Sequence, residues 1–580
     1  MLLGWACGRT ALPGGTVRTA MSDTARTGEP PWWRGAVTYQ LYIRSFADGD
    51  GDGLGDVAGI RSRLPHLVEL GVDALWVNPW YPSPQADGGY DVADYLDIHP
   101  PFGDLDQAQA MIEEAQALGL KVLLDIVPNH TSSEHAWFVA ALAAGPGSPE
   151  RARYVFRPGR GPAGDEPPND WTSVFGGPAW TRVTEADGAP GEWYLHLFDP
   201  AQPDLNWDDP RVRADFLDIL RFWFDRGVDG FRIDVAHGLV KNSALPDLLL
   251  EPGSERLLGS VTVPDHPHWD RPEVHDIYRE WRALADSYDP PRVYVAEAWV
   301  DDPDRRAAYL RADELHCAFD FDFMAAPWQA SAMREAVQSS LQAHEAVGAP
   351  VMWTLSNHDV ARHVSRLGRP MADRAADPLH GWNGVTDVDL GRIRARAILL
   401  LVLALPGGVY LYQGEELGLE EVEDLPEHLL QDPTWERSGH RERGRDGCRV
   451  PLPWREDGPS LGFGAGGAWL PQPAGWAALS VQAQERDPGS MLHLYREALR
   501  VRRELPALGA GGLADLRWLD LGDGVLGFAR EPGFTCVVNV SGRPVTPPPG
   551  RVVLSSGSPS GRLAGAGVLD VDTAAWLVRE

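Results

Sequence analysis

The chain of 580 residues carries 52 Lys and Arg against 83 Asp and Glu, a formal charge of −31. Its length allows about three domains with ample cores, and its acidic balance argues against nucleic acid and membrane surfaces as partners, since both reward basic patches. Cys7, Cys317, Cys448 and Cys536 are scattered with no close pair, so no disulfide framework or zinc site follows, and a reducing, cytoplasmic compartment is expected.

Residues 1–30 read unlike the rest and are expected to form a tail. LLGWAC is too short for a signal-peptide core, Arg9 breaks it, and Met21 opens MSDTARTGEPPWWR like a natural start. The longest apolar run, 397–405, falls short of the roughly 18 residues that a membrane span needs. Residues 37–41 are the first strand candidate. The segment 48–56 (DGDGDGLGD) then places oxygen ligands at loop positions 1, 3, 5 and 9, with glycine at 6 and a carbonyl donor at 7. Asp48, Asp50, Asp52, Leu54 and Asp56 are therefore a candidate Ca2+ loop. Gly59 stands at the twelfth place where a paired EF-hand has glutamate, and a plain Asp/Gly turn is the alternative.

Strands follow at 73–78 (DALWVN) and 121–125 (KVLLD), with a helix over 111–118 between them. From 131 to 203 glycine, proline and tryptophan crowd together, which predicts an inserted irregular subdomain. A helix over 216–224 leads to residues 227–238 (GVDGFRIDVAHG), the stretch around which the chain is organised. Further strands are predicted at 292–297 (RVYVAE), 316–321, 351–356 (VMWTLS) and 408–412 (GVYLY), with helices over 278–285 and 393–405. Eight strand signals alternating with helices predict an α/β fold, a (β/α)8 TIM barrel over 31–130 and 204–505. Residues 462–478 read as a loop near the barrel mouth. After 505 short runs at 516–521, 525–529, 535–540, 552–554 and 568–571 predict a C-terminal antiparallel β domain over 506–580.

Arg232 and Asp234 are two apart, so they leave one strand face, and the arginine keeps the carboxylate ionised. Asp234, Glu297 and Asp359 all stand at carboxyl ends of strands, the active face of such a barrel. His130, His358 and Arg232 surround them. No serine elbow, phosphate-binding glycine loop or His/Cys metal set accompanies these groups. Paired carboxylates in a pocket rich in aromatics suit glycoside cleavage, with Asp234 as nucleophile and Glu297 as acid, kept protonated beside Trp299 by desolvation.

The motifs DIVPNH (125–130), GFRIDVAH (230–237), EAW (297–299) and LSNHD (355–359), with YQLYIRSF (39–46), QPDLN (202–206) and YQGEELG (412–418), resemble those of glycoside hydrolase family 13, the α-amylase superfamily, in its α-glucosidase and oligo-1,6-glucosidase branch. The resemblance implies Asp234 as nucleophile, Glu297 as acid/base and Asp359 as transition-state stabiliser, with retention of configuration. It further implies that Asp87, Tyr90, His130, Arg232 and His358 bind the non-reducing glucose, and that an arginine of GRDGCRVPLPW (444–454) pairs with Asp87. Arg445 and Arg449 are both candidates. The 48–56 loop matches the calcium loop of the branch. The implied protein is a monomer or homodimer acting on small oligosaccharides, a retaining, exo-acting α-glucosidase. Valine after the nucleophile resembles α-1,6-specific members, but the continuation Ala236-His237-Gly238 favours α-1,4-linked, maltose-like substrates. Oligo-1,6-glucosidase, trehalose synthase and sucrose isomerase are the enzymatic alternatives. A non-catalytic transporter partner is disfavoured, because all three carboxylates are present and no spanning helix is.

Overall fold

The structure, a computed structural model, describes residues 30–249, 265–370, 379, 384–509, 511–512, 515–557 and 567–579. The expected tail and Cys7 thus lie outside the described residues, save Pro30. The eight parallel strands of the barrel are β1 (Val37–Leu41), β2 (Ala74–Val77), β3 (Lys121–Ile126), β4 (Gly230–Ile233), β5 (Val293–Ala296), β6 (Cys317–Asp320), β7 (Met352–Thr354) and β8 (Gly408–Tyr412). β1 pairs with both β2 and β8, which closes the barrel.

Side-chain alternation builds the wall. On β2, Leu75 and Val77 join the core under the helices, whereas Ala74 and Trp76 fill the lumen. On β5, Tyr294 and Ala296 face out while Val293 and Val295 face in. Phe231 and Ile233 of β4 face out, so Arg232 between them turns inward, in register with Asp125 of β3. The helices are longer than their apolar periods. The one before β4 runs Pro210–Asp225, starting at the cap of Asp209 and Pro210. Its first turn is polar on most sides, so the period hides it.

The inserted segment is more regular than expected. It holds the helix Ala136–Ala144 and an antiparallel sheet of Phe156–Arg157, Pro190–Leu195 and Trp180–Thr184, in that spatial order. Its core of Trp171, Phe175, Trp180, Leu195, Leu197 and Phe198 includes Val235, the residue after Asp234. Dense glycine and proline between these short elements mask their periods.

Five antiparallel strands follow the barrel, in the order Arg517–Trp518, Val525–Arg530, Phe534–Asn539, Thr573–Val578, Arg551–Ser555. The last in sequence is Thr573–Val578, not 568–571, where only a Leu569–Val545 bridge forms. TAAWLV is buried almost throughout, so it lacks the alternation of a half-buried strand. The sheet shares one core with the barrel helix Val388–Ala404, and Trp576 Nε1 donates to Leu400 O at 2.8 Å. The 462–478 segment packs on the 48–56 loop, with Asp48 N donating to Phe463 O at 2.9 Å and Trp469 N to Gly53 O at 3.1 Å.

Candidate active site

Arg232 is the centre of the site. Its Nη1 donates to Asp125 Oδ1 and to Asp234 Oδ1, each at 2.8 Å. Its Nη2 lies 2.8 Å from Glu297 Oε2, and the guanidinium stands 5.1 Å from the Trp76 ring centroid. One buried cation thus serves three buried carboxylates. Burial pushes Asp234 well above the usual carboxylate range; Arg232 opposes this, and Glu297, Asp125 and Asp359 add to it. Burial likewise pushes Asp125 up to about 6 against the pull of Arg232.

Val235 adopts φ +47°, a left-handed conformation that a β-branched residue rarely takes, at a cost on the order of 1–3 kcal/mol. The turn it makes aims its N–H at Glu297 Oε2, 3.0 Å away. Trp299 acts on Glu297 differently from the sequence expectation of a desolvating wall. Its Nε1 donates to Glu297 Oε1 at 2.9 Å, and its ring stacks on Phe321 at 3.8 Å.

Asp359 faces this cluster from the end of β7. Arg445 Nη1 donates to its Oδ1 at 2.9 Å, Arg449 Nη2 to the same oxygen at 3.2 Å, and His358 Nε2 lies 3.1 Å from Oδ2. Burial alone raises Asp359, but His358, Arg445, Arg449 and Arg232 outweigh it and hold the carboxyl below the usual range. Burial also drives His358 far below its ordinary value, so its neutral ring helps Asp359 by donating a hydrogen bond while the arginines supply the charge. Gln40 Nε2 reaches His358 Nδ1 at 2.7 Å, which leaves Nε2 as the protonated donor to Asp359. Tyr90 stacks on His358 at 5.1 Å and donates to Asp125 Oδ2 at 2.9 Å.

The arginine left open by the sequence is Arg445: its Nη2 meets Asp87 Oδ1 at 2.6 Å, while Arg449 turns to Asp359 and His358 O. Burial pushes Asp87 up to about 6, with Arg445 and Arg449 pulling it down. Gln202 Nε2 donates to Asp87 Oδ2 at 3.1 Å. His130 takes a bond from Asn129 on Nδ1 and sits 3.2 Å from Tyr90 O through Nε2; burial lowers it to about 4, so it is neutral. The ten residues named for catalysis and glucose binding therefore gather in one cluster.

Sequence reasoning passed over Asp125, Gln202 and Asp432. Asp125 and Gln202 stand inside motifs already quoted, and the parity of KVLLD turns Asp125 inward with Leu123. Asp432 has no motif, only an Asp-Pro helix start.

The 48–56 loop brings carboxylates of Asp48, Asp50 and Asp56 within 4.8 Å of one another, an arrangement fit for a hard cation. Asp52 does not join them; it is exposed and its Oδ1 accepts from Leu54 N at 2.8 Å. Asp56 also caps the helix Val57–Leu70. The glycine at the twelfth place has a steric cause: a Cβ on Gly59 would lie 1.9 Å from Ala47 O.

Residues 40–511 match the alpha amylase catalytic domain. A probable alpha-glucosidase of Rhizobium meliloti (strain 1021) is 38% identical over 532 residues, covering 89% of this chain and 90% of its own. An oligo-1,6-glucosidase of Parageobacillus thermoglucosidasius is 35% identical, covering 82% and 84%. The solved structure of an alpha-glucosyl transfer enzyme matches with a TM-score of 0.81 at 34% identity, covering 95% of this chain and all of that one.

Proposed function

The chain belongs to the alpha-amylase family, and on that premise we propose that it is a retaining, exo-acting α-glucosidase that releases glucose from the non-reducing end of short α-glucosides. The observation that carries the mechanism is Arg232, which holds Asp234 and Glu297 at 2.8 Å each through its two terminal nitrogens. Carboxylates tied to one guanidinium are near neighbours. That suits a retaining pair, about 5–5.5 Å apart, over the wider spacing that an inverting enzyme needs for its water.

In this reading Asp234 attacks the anomeric carbon while Glu297 gives its proton to the leaving oxygen. Glu297 then takes a proton from water, which hydrolyses the glycosyl-enzyme. Asp359, kept anionic by Arg445 and Arg449, stands against the oxocarbenium charge. Exo-action follows from the Asp87–Arg445 pair, backed by Gln202, His130 and Phe175, which blocks any sugar beyond the terminal one.

The preference for α-1,4 over α-1,6 links, a structural calcium in the 48–56 loop and a cytoplasmic setting belong to the same proposal. Among the described residues, Cys317, Cys448 and Cys536 are buried free thiols, as a reducing compartment allows. Similarity to a glucosyl transfer enzyme favours transfer to a second sugar as the competing outcome. Glucose release from maltose, isomaltose, sucrose and trehalose decides between them. Fast hydrolysis of maltose with free glucose as the main product supports the proposal, whereas an isomeric disaccharide as the main product assigns the chain to transfer or isomerisation.

A further inference from the structure

We propose that Asp432 is a positioning residue for the reaction, acting on the sugar pocket through Arg445. The inference rests on the glucosidase reading of the site. Arg445 is a fork with three occupied sides. Nη2 meets Asp87 and Nη1 meets Asp359, the two groups that face the sugar. The remaining edge, Nε, donates to Asp432 Oδ2, and the backbone N–H of Arg445 reaches the same oxygen at 3.1 Å. Phe175 covers the guanidinium, with its ring centroid 5.0 Å away.

Asp432 stands behind Arg445 and reaches Asp87 and Asp359 through it. It is 2% exposed and caps the helix Pro433–Arg437, where its Oδ1 accepts from Thr434 N at 2.9 Å. Its own amide is held by Asp446 Oδ2 at 3.0 Å. Both carboxylate oxygens are therefore committed, one to a helix end and one to the arginine. Burial raises its carboxyl, but Arg445 and Arg449 outweigh this and hold it down to about 2. The charge ledger of the arginine pair needs it as well. Arg449 Nη1 lies 3.9 Å from Asp432, so the third carboxylate screens two guanidinium groups that repel each other. Gly444, at φ +70°, leaves the space: a Cβ there would come 2.5 Å from the Asp432 carboxyl carbon.

An asparagine at 432 has one acceptor oxygen for the two sets of donors that the carboxylate now serves. Either the helix cap or the arginine is released. A released fork misplaces Asp87 and Asp359 together, and misplacement by about 1 Å costs on the order of 10²-fold.

The test compares wild type, Asp432→Asn, Arg445→Lys and the double variant, each first shown to be folded by its thermal melt. Maltose turnover gives kcat and KM, and calorimetry gives the affinity for glucose. Asp432→Asn should lower kcat/KM by about 10²-fold, with KM and the glucose Kd rising in parallel. In the Arg445→Lys background the same change should add less than about threefold, since coupled residues are non-additive. A merely structural aspartate would lower the melting temperature and leave KM and glucose Kd alone, which overturns the proposal, as does an equal loss in the Arg445→Lys background. If Asp432→Asn does not fold, Gly444→Ala displaces the carboxylate without removing its charge. A rise in KM there supports the inference, and an unchanged KM overturns it. A wild-type chain that neither binds glucose nor cleaves maltose overturns the glucosidase reading itself. A wild type that does both, beside an unaffected variant, overturns only the role of Asp432.

Discussion

Asp87 and Asp359 share one guanidinium: Arg445 lies 2.6 Å from the first and 2.9 Å from the second. Arg445 pulls both carboxyls down, but burial wins at Asp87 and loses at Asp359. Asp359 is held below the usual range, while burial leaves Asp87 at about 6. Catalysis needs Asp87 anionic to hold the arginine and Asp234, also raised, anionic to attack. Protonation of Asp87 at about 6 should therefore place the acid limb of kcat/KM for a neutral substrate at or above that pH. A profile flat down to pH 4.5 would contradict this.

Stability should decline over the same range for a different reason. Burial lowers His130, His135, His196 and His237 to about 4, so they take up protons more readily once unfolded. Their contribution is present above about pH 6.5 and is lost as pH falls toward 4. Asp87, Asp125, Asp234, Glu415 and Glu421 have the opposite sign, binding protons more tightly when folded, but the buried histidines, His266 and His344 among them, outnumber these five. The melting temperature should drop between pH 7 and pH 4.5. A rise over that interval would show that the raised carboxyls dominate.

Asp125→Asn should cost about 10²-fold in kcat/KM. Asp125 accepts from Arg232, Tyr90 and Trp76, and one amide oxygen cannot serve all three. Leaving a buried donor unpaired should also cost about 1–3 kcal/mol of stability. Full activity in the folded variant would mean that Asp234 and Glu297 alone orient Arg232.

Asp48, Asp50 and Asp56 repel one another unless a cation sits between them, so exhaustive chelation should lower the melting temperature and calcium should restore it. Asp50→Ala should abolish that response, whereas Asp52→Ala, whose side chain faces solvent, should keep most of it. No bound metal and no shift on chelation would reduce the loop to a helix-capping turn.

The barrel and the positions of its polar strand ends were legible because β strands buried on both faces read as apolar runs that stop abruptly at charged groups. The strand 230–233 and the site residues Arg232 and Asp234 are the clearest example. The last strand, Thr573–Val578, was missed because burial on both faces erased its alternation. The choice of Arg445 over Arg449 lay beyond sequence. The two stand four apart on one short turn, and their partners come from the loop after β2 and the end of β7. The role of Trp299 was misread because sequence shows an aromatic neighbour but not which edge it presents.

The proposed mechanism divides the labour between Asp234 and Glu297. It is tested most directly by the pre-steady-state release of nitrophenol from a nitrophenyl α-glucoside, followed by mass analysis of the quenched protein. A nitrophenolate leaves without a proton, so folded Glu297→Gln should give a burst of one equivalent and a glucosyl adduct on the peptide bearing Asp234. Azide, which needs no base, should release that adduct as the α-glucosyl azide, and folded Asp234→Asn should give neither burst nor adduct. A burst from Asp234→Asn, an adduct on another residue or a β-glucosyl azide would contradict the account.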